Sequence, residues 1–354
     1  MKPIIKYPGG KEKELKFILP NLPEKINNFY EPFVGGGSVY FAMNDLKHYF
    51  INDKCKDLIN YYKMMQRQDK MFFNYLNDIN NGYKKIDTIF NRYCDELCND
   101  YANTDVDAFF THHNTAINKI LCFIPNSELI YYLKKDVKSK IAHIAKLEKA
   151  NGKLNNESDI KDNVLCGFKS GYYMYMRHLF NTTQNKELRT ALYVFMREYC
   201  YSSMFRYNAK GEFNVPFGGI SYNNKYLDNK IAQMQSKEYI KKFKSTKFSC
   251  QDFYDFMTQF PPGSDDFVFL DPPYDTEFSN YANADFNKQD QIRLRDYLIN
   301  ECKGKWMLVI KNTDFIYSLY NSQGLNIQTF DKHYLVSFKN RNNKDCEHLL
   351  IKNY

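Results

Sequence analysis

Phe29-Tyr30-Glu31-Pro32-Phe33-Val34-Gly35-Gly36-Gly37-Ser38 is the stretch whose pattern sets the architecture. An apolar run from Phe29 to Val34 enters three glycines, and Ser38 stands where a helix N-cap belongs. The pattern predicts a strand, a glycine turn and a helix through Lys47. Tyr49 to Asn52 reads as a second short strand ending at Asp53, and Leu58, Ile59, Tyr62 and Met65 then share one helical face. Strand, helix, strand in this order opens a parallel sheet, so the expected class is α/β.

A glycine turn after a strand lets a ligand approach the backbone, because glycine has no Cβ and tolerates positive φ. Gly35 and Gly37 are therefore candidate cofactor contacts. An ordinary turn explains them equally well, since the pattern is not GxGxxG and Gly9-Gly10-Lys11 lacks the rest of a phosphate loop. Asp53 lies 18 positions after Gly35, the spacing at which a Rossmann-like sheet offers a carboxylate to ribose hydroxyls. An exposed aspartate at a helix start fits the same place.

Further along, the buried-strand pattern Phe267 to Leu270 runs into Asp271-Pro272-Pro273-Tyr274, the most specific signal in the chain. Consecutive prolines hold an extended turn and leave carbonyls without competing local N–H donors. On this reading the Asp271 carboxylate and the Pro272 carbonyl accept the two hydrogens of an exocyclic amine, while the Tyr274 ring stacks on the base. Two such acceptors favour a pyramidal nitrogen whose lone pair meets an electrophilic methyl in line. A merely structural proline turn is the alternative. Trp306 to Ile310, Leu325 to Phe330, Tyr334 to Phe338 and Leu349 to Lys352 read as further strands, and Lys247 to Ser249 as one preceding Asp252-Phe253.

Between these two α/β parts the pattern is Lys/Asn/Tyr-rich and mostly helical, which predicts an inserted domain over residues 70–244 within a domain of 1–69 and 245–354. Its Lys134 to Lys161 stretch reads as a solvated helix and loop. The chain has 49 Lys and Arg against 41 Asp and Glu, a net charge of +8, which favours a polyanionic partner but also fits a plain cationic surface. Its 30 Tyr and 29 Phe suit base stacking, although AT-rich codon usage accounts for most of them. The nine cysteines show no zinc-finger spacing and predict free thiols, and the adjacent His112-His113 read as exposed or capping, with no metal expected. No run is apolar enough to span a membrane, so a soluble, unexported, cytoplasmic protein of a bacterium, phage or other virus is expected.

Taken together, three motifs in order resemble the Dam-type, alpha-class (D12) N6-adenine DNA methyltransferases. Lys6 to Lys11 resembles that family's N-terminal cofactor motif, Tyr30 to Ser38 its glycine motif, and Asp271 to Tyr274 its catalytic motif. The resemblance covers roughly residues 4–66 and 200–354. It implies a Rossmann-like S-adenosylmethionine-dependent methyltransferase sheet with an inserted, mostly helical target-recognition domain carrying a β-hairpin. Catalytic residues would be Asp271, Pro272, Pro273 and Tyr274. Cofactor contacts would come from Tyr7, Lys11, Phe33, Gly35, Gly37, Ser38, Asp53, Asp252, Phe253 and Asp271, with Lys11 near the methionine carboxylate and Asp53 on the ribose.

Phe205 to Gly218 resembles the family's recognition hairpin, and a Gly-containing turn between aromatic runs is independently a hairpin signal. Tyr201, Arg206, Asn208 and Asn214 would contact double-stranded DNA, Arg206 by bridging guanine O6 and N7. Phe286, Asp290-Gln291 before Arg293-Leu294, Asn312 and Cys346 to Tyr354 resemble segments that follow the catalytic motif. A companion restriction endonuclease is a possible partner. With no Pro-Cys dipeptide, cytosine-5 chemistry is excluded. Cytosine-N4 methylation, RNA adenine methylation and a catalytically silent DNA-binding protein of the same fold remain the competing readings.

Overall fold

Four consecutive apolar residues buried on both faces make β4 (Phe267–Leu270) the centre of the sheet, as expected of a parallel strand covered by helices on either side. The computed structural model describes residues 1–44, 46–101, 103–151, 156–274, 286–333 and 345–354. Before β4, in chain order, come α1 (Leu15–Ile18), β1 (Asn28–Glu31), α2 (Ser38–Ala42), β2 (His48–Asn52) and α3 (Lys56–Arg67). Then follow α4 (Lys70–Cys98), α5 (Val106–His112), α6 (Asn114–Ile117), α7 (Leu129–Asn151), α8 (Glu157–Thr182), α9 (Lys186–Tyr199), α10 (Asp228–Met234), α11 (Lys237–Lys244), β3 (Thr246–Ser249) and α12 (Phe253–Gln259). After β4 come α13 (Lys288–Asn300), β5 (Lys305–Lys311), α14 (Asp314–Tyr320), β6 (Asn326–His333) and β7 (Asp345–Lys352).

Strand order in the seven-stranded sheet is β3-β2-β1-β4-β5-β7-β6. The β1–β2, β2–β3, β1–β4 and β4–β5 pairs are parallel, whereas β7 lies antiparallel between β5 and β6. Winding leaves β1 in one direction toward β2 and β3 and resumes in the other through β4 and β5. The border between β1 and β4 is thus the switch point, where ligands of open α/β sheets bind beyond the carboxyl ends of the strands.

Several elements differ from their expected bounds: β7 begins at Asp345 instead of Leu349, β6 runs to His333 instead of Phe330, and two elements change around the glycine turn. The first strand stops at Glu31 instead of Val34, because Pro32 has no N–H for the ladder, and Val34 N bonds the Asn52 carbonyl at 3.0 Å instead. The following helix ends at Ala42 instead of Lys47, and Gly37 at φ 75°, not Ser38, is its N-cap residue. At the carboxyl end the Met43 carbonyl accepts from the Tyr49 hydroxyl at 3.4 Å and from the Lys242 ammonium, so long-range partners take over an orphaned terminal acceptor. The strand expected over Tyr334 to Phe338 lies outside the described residues.

The chain divides into two compact units, Met1–Lys63 with Lys241–Tyr354, and Met64–Ile240. In the second unit α4, α7, α8 and α9 pack on one another. A Cβ on Gly171 would fall 2.6 Å from Leu133 Cα, so α8 meets α7 at backbone contact. Lys169 is fully buried, pairs with Asp87 at 2.8 Å and donates to the Tyr83 carbonyl at 2.5 Å; burial pushes its ammonium down to about 8. The adjacent histidines part company. His112 is exposed, whereas His113, expected to be exposed or capping, is the cap residue between α5 and α6 and is buried against Tyr93 at 3.9 Å and bonded to Glu96 at 2.9 Å.

Candidate active site

β1 and β4 are neighbours, so the glycine turn after the first and Asp271-Pro272-Pro273-Tyr274 after the second emerge side by side at the switch point. Gly35 and Gly37 adopt φ 48° and 75°, which a side chain would resist. The space above the turn is occupied by Tyr7: a Cβ on Gly35 would lie 3.1 Å from its ring, and one on Gly36 2.9 Å from its Cβ. The N-terminal motif therefore folds onto the glycine turn. Ser38, largely buried, sits with its Oγ 3.4 Å from the Cβ position of Gly10.

Asp53 closes the same turn. Its Oδ2 accepts from Gly35 N at 3.0 Å and its Oδ1 from Cys55 N at 2.8 Å, while the Tyr62 hydroxyl holds the Gly35 carbonyl at 3.0 Å. The buried Asn52 pins three strand ends together: its amide donates to the Pro32 and Gln251 carbonyls, both at 3.0 Å, and accepts from Gln251 N at 3.0 Å. Asn52 was not among the site residues read from sequence, since only strand pairing gives it these partners.

Lys11 reaches the Asp271-Pro272-Pro273-Tyr274 turn. Its ammonium, 3% exposed, lies 2.5 Å from Asp271 Oδ1, donates to the Tyr274 hydroxyl at 3.2 Å and stands 5.5 Å from that ring's centroid. The sequence reading gives Lys11 an anionic partner on a cofactor; within the protein its partner is Asp271. The Tyr274 hydroxyl also bonds the fully buried His348 of β7 at 3.2 Å, a contact that the sequence does not signal. Asn312, at the end of β5, bonds the Glu347 side chain.

Glu31, the last residue of β1, is buried and accepts from Tyr40 N, one of the orphaned donors of α2, at 3.0 Å. Burial raises its carboxyl well above the ordinary range, the nearby Asp271 charge raises it further, and the Tyr40 amide and Lys242 only partly offset this. A carboxyl raised on folding contributes stability that is complete below its unfolded value and is lost as pH rises through its folded value. Glu31→Gln should therefore unfold in urea at increasingly higher concentration than wild type as pH increases above the normal glutamate range. A stability difference that stays flat with pH would contradict this placement.

Asp252 caps α12 through Tyr254 N at 3.0 Å and pairs with Lys54 and Arg293, both at 2.9 Å. Burial alone would raise its carboxyl, but Lys54, the Tyr254 amide and Arg293 outweigh it and hold it below the usual range. Phe253 is buried, and the partly buried Phe33 meets it at 5.6 Å and Phe286 at 5.5 Å, an aromatic wall next to the β1 turn. Tyr7, Lys11, Phe33, Gly35, Gly37, Ser38, Asp53, Asp252, Phe253, Asp271 and Tyr274 all belong to the unit containing the sheet.

The hairpin residues belong to the helical unit. The chain folds back at Asn208 to Glu212, with Asn208 N bonded to Glu212 O at 2.8 Å and Asn214 N to Arg206 O at 3.2 Å, but pairing is confined to isolated bridges at Tyr207–Phe213 and Cys200–Phe217. Asn208 builds the turn, its Oδ1 accepting from Lys210 N at 2.9 Å and Glu212 N at 3.0 Å. Arg206 and Asn214 stand across from each other, Nε donating to Oδ1 at 3.3 Å. Tyr201 is exposed and precedes Ser202 and Ser203 at φ 51° and 54°, a strained pair of residues.

Among the described residues no group of histidine, cysteine, aspartate or glutamate could hold a metal ion, and no helix is long and apolar enough to cross a membrane. The profile of the family described as D12 class N6 adenine-specific DNA methyltransferase matches residues 7–161 and 132–335. The Type II methyltransferase M.MjaIII of Methanocaldococcus jannaschii is 26% identical, the alignment covering 100% of this chain and 99% of that protein. Another similar protein, the Type II methyltransferase M.CviBI of Paramecium bursaria Chlorella virus NC1A, is also 26% identical and is matched over 100% of both chains. A DNA adenine methylase of Vibrio cholerae is 23% identical over 91% of this chain and 86% of its own length.

Proposed function

Because this chain belongs to the D12 class N6 adenine-specific DNA methyltransferases, we propose that it transfers the methyl group of S-adenosylmethionine to N6 of an adenine extruded from duplex DNA, with Asp271 to Tyr274 as the catalytic turn. The observation that carries the reading is the meeting of the β1 glycine turn, Lys11 and Asp271 at the switch point between β1 and β4. The residues present fit the cofactor. Tyr7 packs on the positive-φ glycine turn, Asp53 and Asp252 follow the adjacent parallel strands β2 and β3 where ribose and base would lie, and Phe33 and Phe253 offer an apolar face. Bound there, S-adenosylmethionine supplies a methyl group made electrophilic by its sulfonium.

The protein's own part is orientation. Asp271 and the Pro272 carbonyl accept the two N6 hydrogens, so that the lone pair leaves the ring system and points at the methyl. A carboxylate offers about four lone-pair sites, enough for Lys11 and an amine together. The Tyr274 ring, held by Lys11 and His348 through its hydroxyl, stacks on the extruded base. Lys11 thereby supports both the acceptor and the stacking ring and adds positive charge where the methionine carboxylate would lie.

In the helical unit Tyr201, Arg206, Asn208 and Asn214 form the proposed DNA-reading group, and the unit acts as the target-recognition domain. The Type II names of two relatives support a role beside a restriction endonuclease of the same specificity. Incubation with labelled S-adenosylmethionine and unmethylated duplex DNA, followed by nucleoside analysis, should yield N6-methyldeoxyadenosine. Label in N4-methyldeoxycytidine, or transfer to RNA but not to duplex DNA, would overturn the reading.

A further inference from the structure

Gln291, in the first turns of α13, is fully buried; its Nε2 donates to the Pro273 carbonyl at 2.9 Å, and its Oε1 has no hydrogen-bond partner among the described residues. Burying an amide acceptor unsatisfied is unfavourable, so packing alone does not account for a glutamine where an apolar side chain of similar volume would fill the space. What distinguishes glutamine is the single donor that it delivers to the catalytic turn.

The helix that carries it is firmly anchored. Asn287 and Asp290 form a reciprocal capping box at its start, and Arg293 bonds Asp290 at 2.7 Å and Asp252 at 2.9 Å. Two different sides of α13 thus hold two loops, the catalytic turn through the buried Gln291 and the start of α12 through the partly exposed Arg293.

We infer that Gln291 is the positioning residue of the catalytic turn: by occupying the Pro273 carbonyl it turns that acceptor away from the target amine and leaves the Pro272 carbonyl and the Asp271 carboxylate as the pair that N6 meets. The inference rests on the reading of Asp271 to Tyr274 given above. A turn with two neighbouring carbonyls could otherwise rotate and present the wrong one, and productive geometry tolerates only small displacements.

The test compares Gln291→Met and Gln291→Glu in the full chain, using labelled S-adenosylmethionine and unmethylated genomic DNA. Gln291→Met keeps the volume and removes the donor; kcat should fall about tenfold, the scale of one lost hydrogen bond, while the Kd for S-adenosylmethionine stays within about twofold. Gln291→Glu restores a donor only while its carboxyl is protonated, and burial extends that protonated range upward. Its kcat relative to wild type should approach unity at low pH and fall about tenfold as pH rises. Asp290, Arg293 and Asp252 are common to both proteins, so the ratio isolates the new carboxyl.

Unchanged kcat in Gln291→Met, or a pH-independent ratio for Gln291→Glu, overturns the inference. Should Gln291→Met fail to fold, the pH dependence of the glutamate variant decides. If Asp271→Ala is inactive while both Gln291 variants turn over normally, only the positioning role fails. If Asp271→Ala remains active, the reading of the turn itself fails.

Discussion

Asp271→Ala is expected to lower methyl transfer by about two to three orders of magnitude, the loss that follows removal of one preorganised group acting on the transition state. A second consequence follows from the ion pair. Lys11 is 3% exposed and pairs with this carboxylate, so alanine leaves a buried ammonium without its counter-charge. Breaking a buried pair from one side costs about 3–5 kcal/mol, and at Asp271, which is 21% exposed, the low end of that range applies. Inactivity alone would therefore confound catalysis with folding. Lys11→Met combined with Asp271→Ala removes both charges and should recover most of the thermal stability while remaining inactive. Near-normal turnover of the single variant would remove Asp271 from the mechanism, and recovery of activity in the double variant would show that only the stranded charge had mattered.

Arg206→Ala should collapse discrimination at one base pair. The guanidinium is steered by Asn214 across the fold-back, and a bidentate contact to a guanine edge contributes about 1–3 kcal/mol of discrimination. Methylation-aware sequencing first defines the recognised site, and rates are then measured on its single-base variants. The loss should fall mainly on the cognate sequence, compressing its advantage over one particular near-cognate. A phosphate contact would instead weaken all sequences alike and lower the salt dependence by about one ion. A uniform drop across the panel would therefore refute base reading, and Asn214→Ala should share the effect in weaker form.

The parts legible in the sequence were those whose signal is local. Phe267 to Leu270 has no polar residue to place it anywhere but inside, so its bounds agree with the strand observed. The glycine turn is likewise local, since Gly35 and Gly37 take the positive φ that the run of three suggests. The residues that lock the site were not legible, because each is a polar side chain that reads as surface until a distant partner is known. Asn52 needs Gln251, His348 needs Tyr274 and Gln291 needs Pro273. Helix α2 was overestimated, and the partners of its terminal Met43 carbonyl, Tyr49 and Lys242, lie outside it. His113 read as exposed or capping; it does cap α5 and α6, but its burial on Tyr93 depends on a partner from α4 that the sequence does not signal.

Strand order also dictates an order of assembly. β1 and β2 are made early, but their outer partners come from the far end of the chain: Tyr49 pairs with Thr246, and Phe29 with Phe267. The helical unit, by contrast, is one continuous stretch from Met64 to Ile240 and has all its own partners in hand before either missing strand has been synthesised. Contacts so distant in sequence form slowly, because the loop between them must close before the pairing rewards it. A helical unit that folds first shortens that effective loop. The sheet is completed only once the carboxyl-terminal third of the chain, which carries β3 to β7, has emerged.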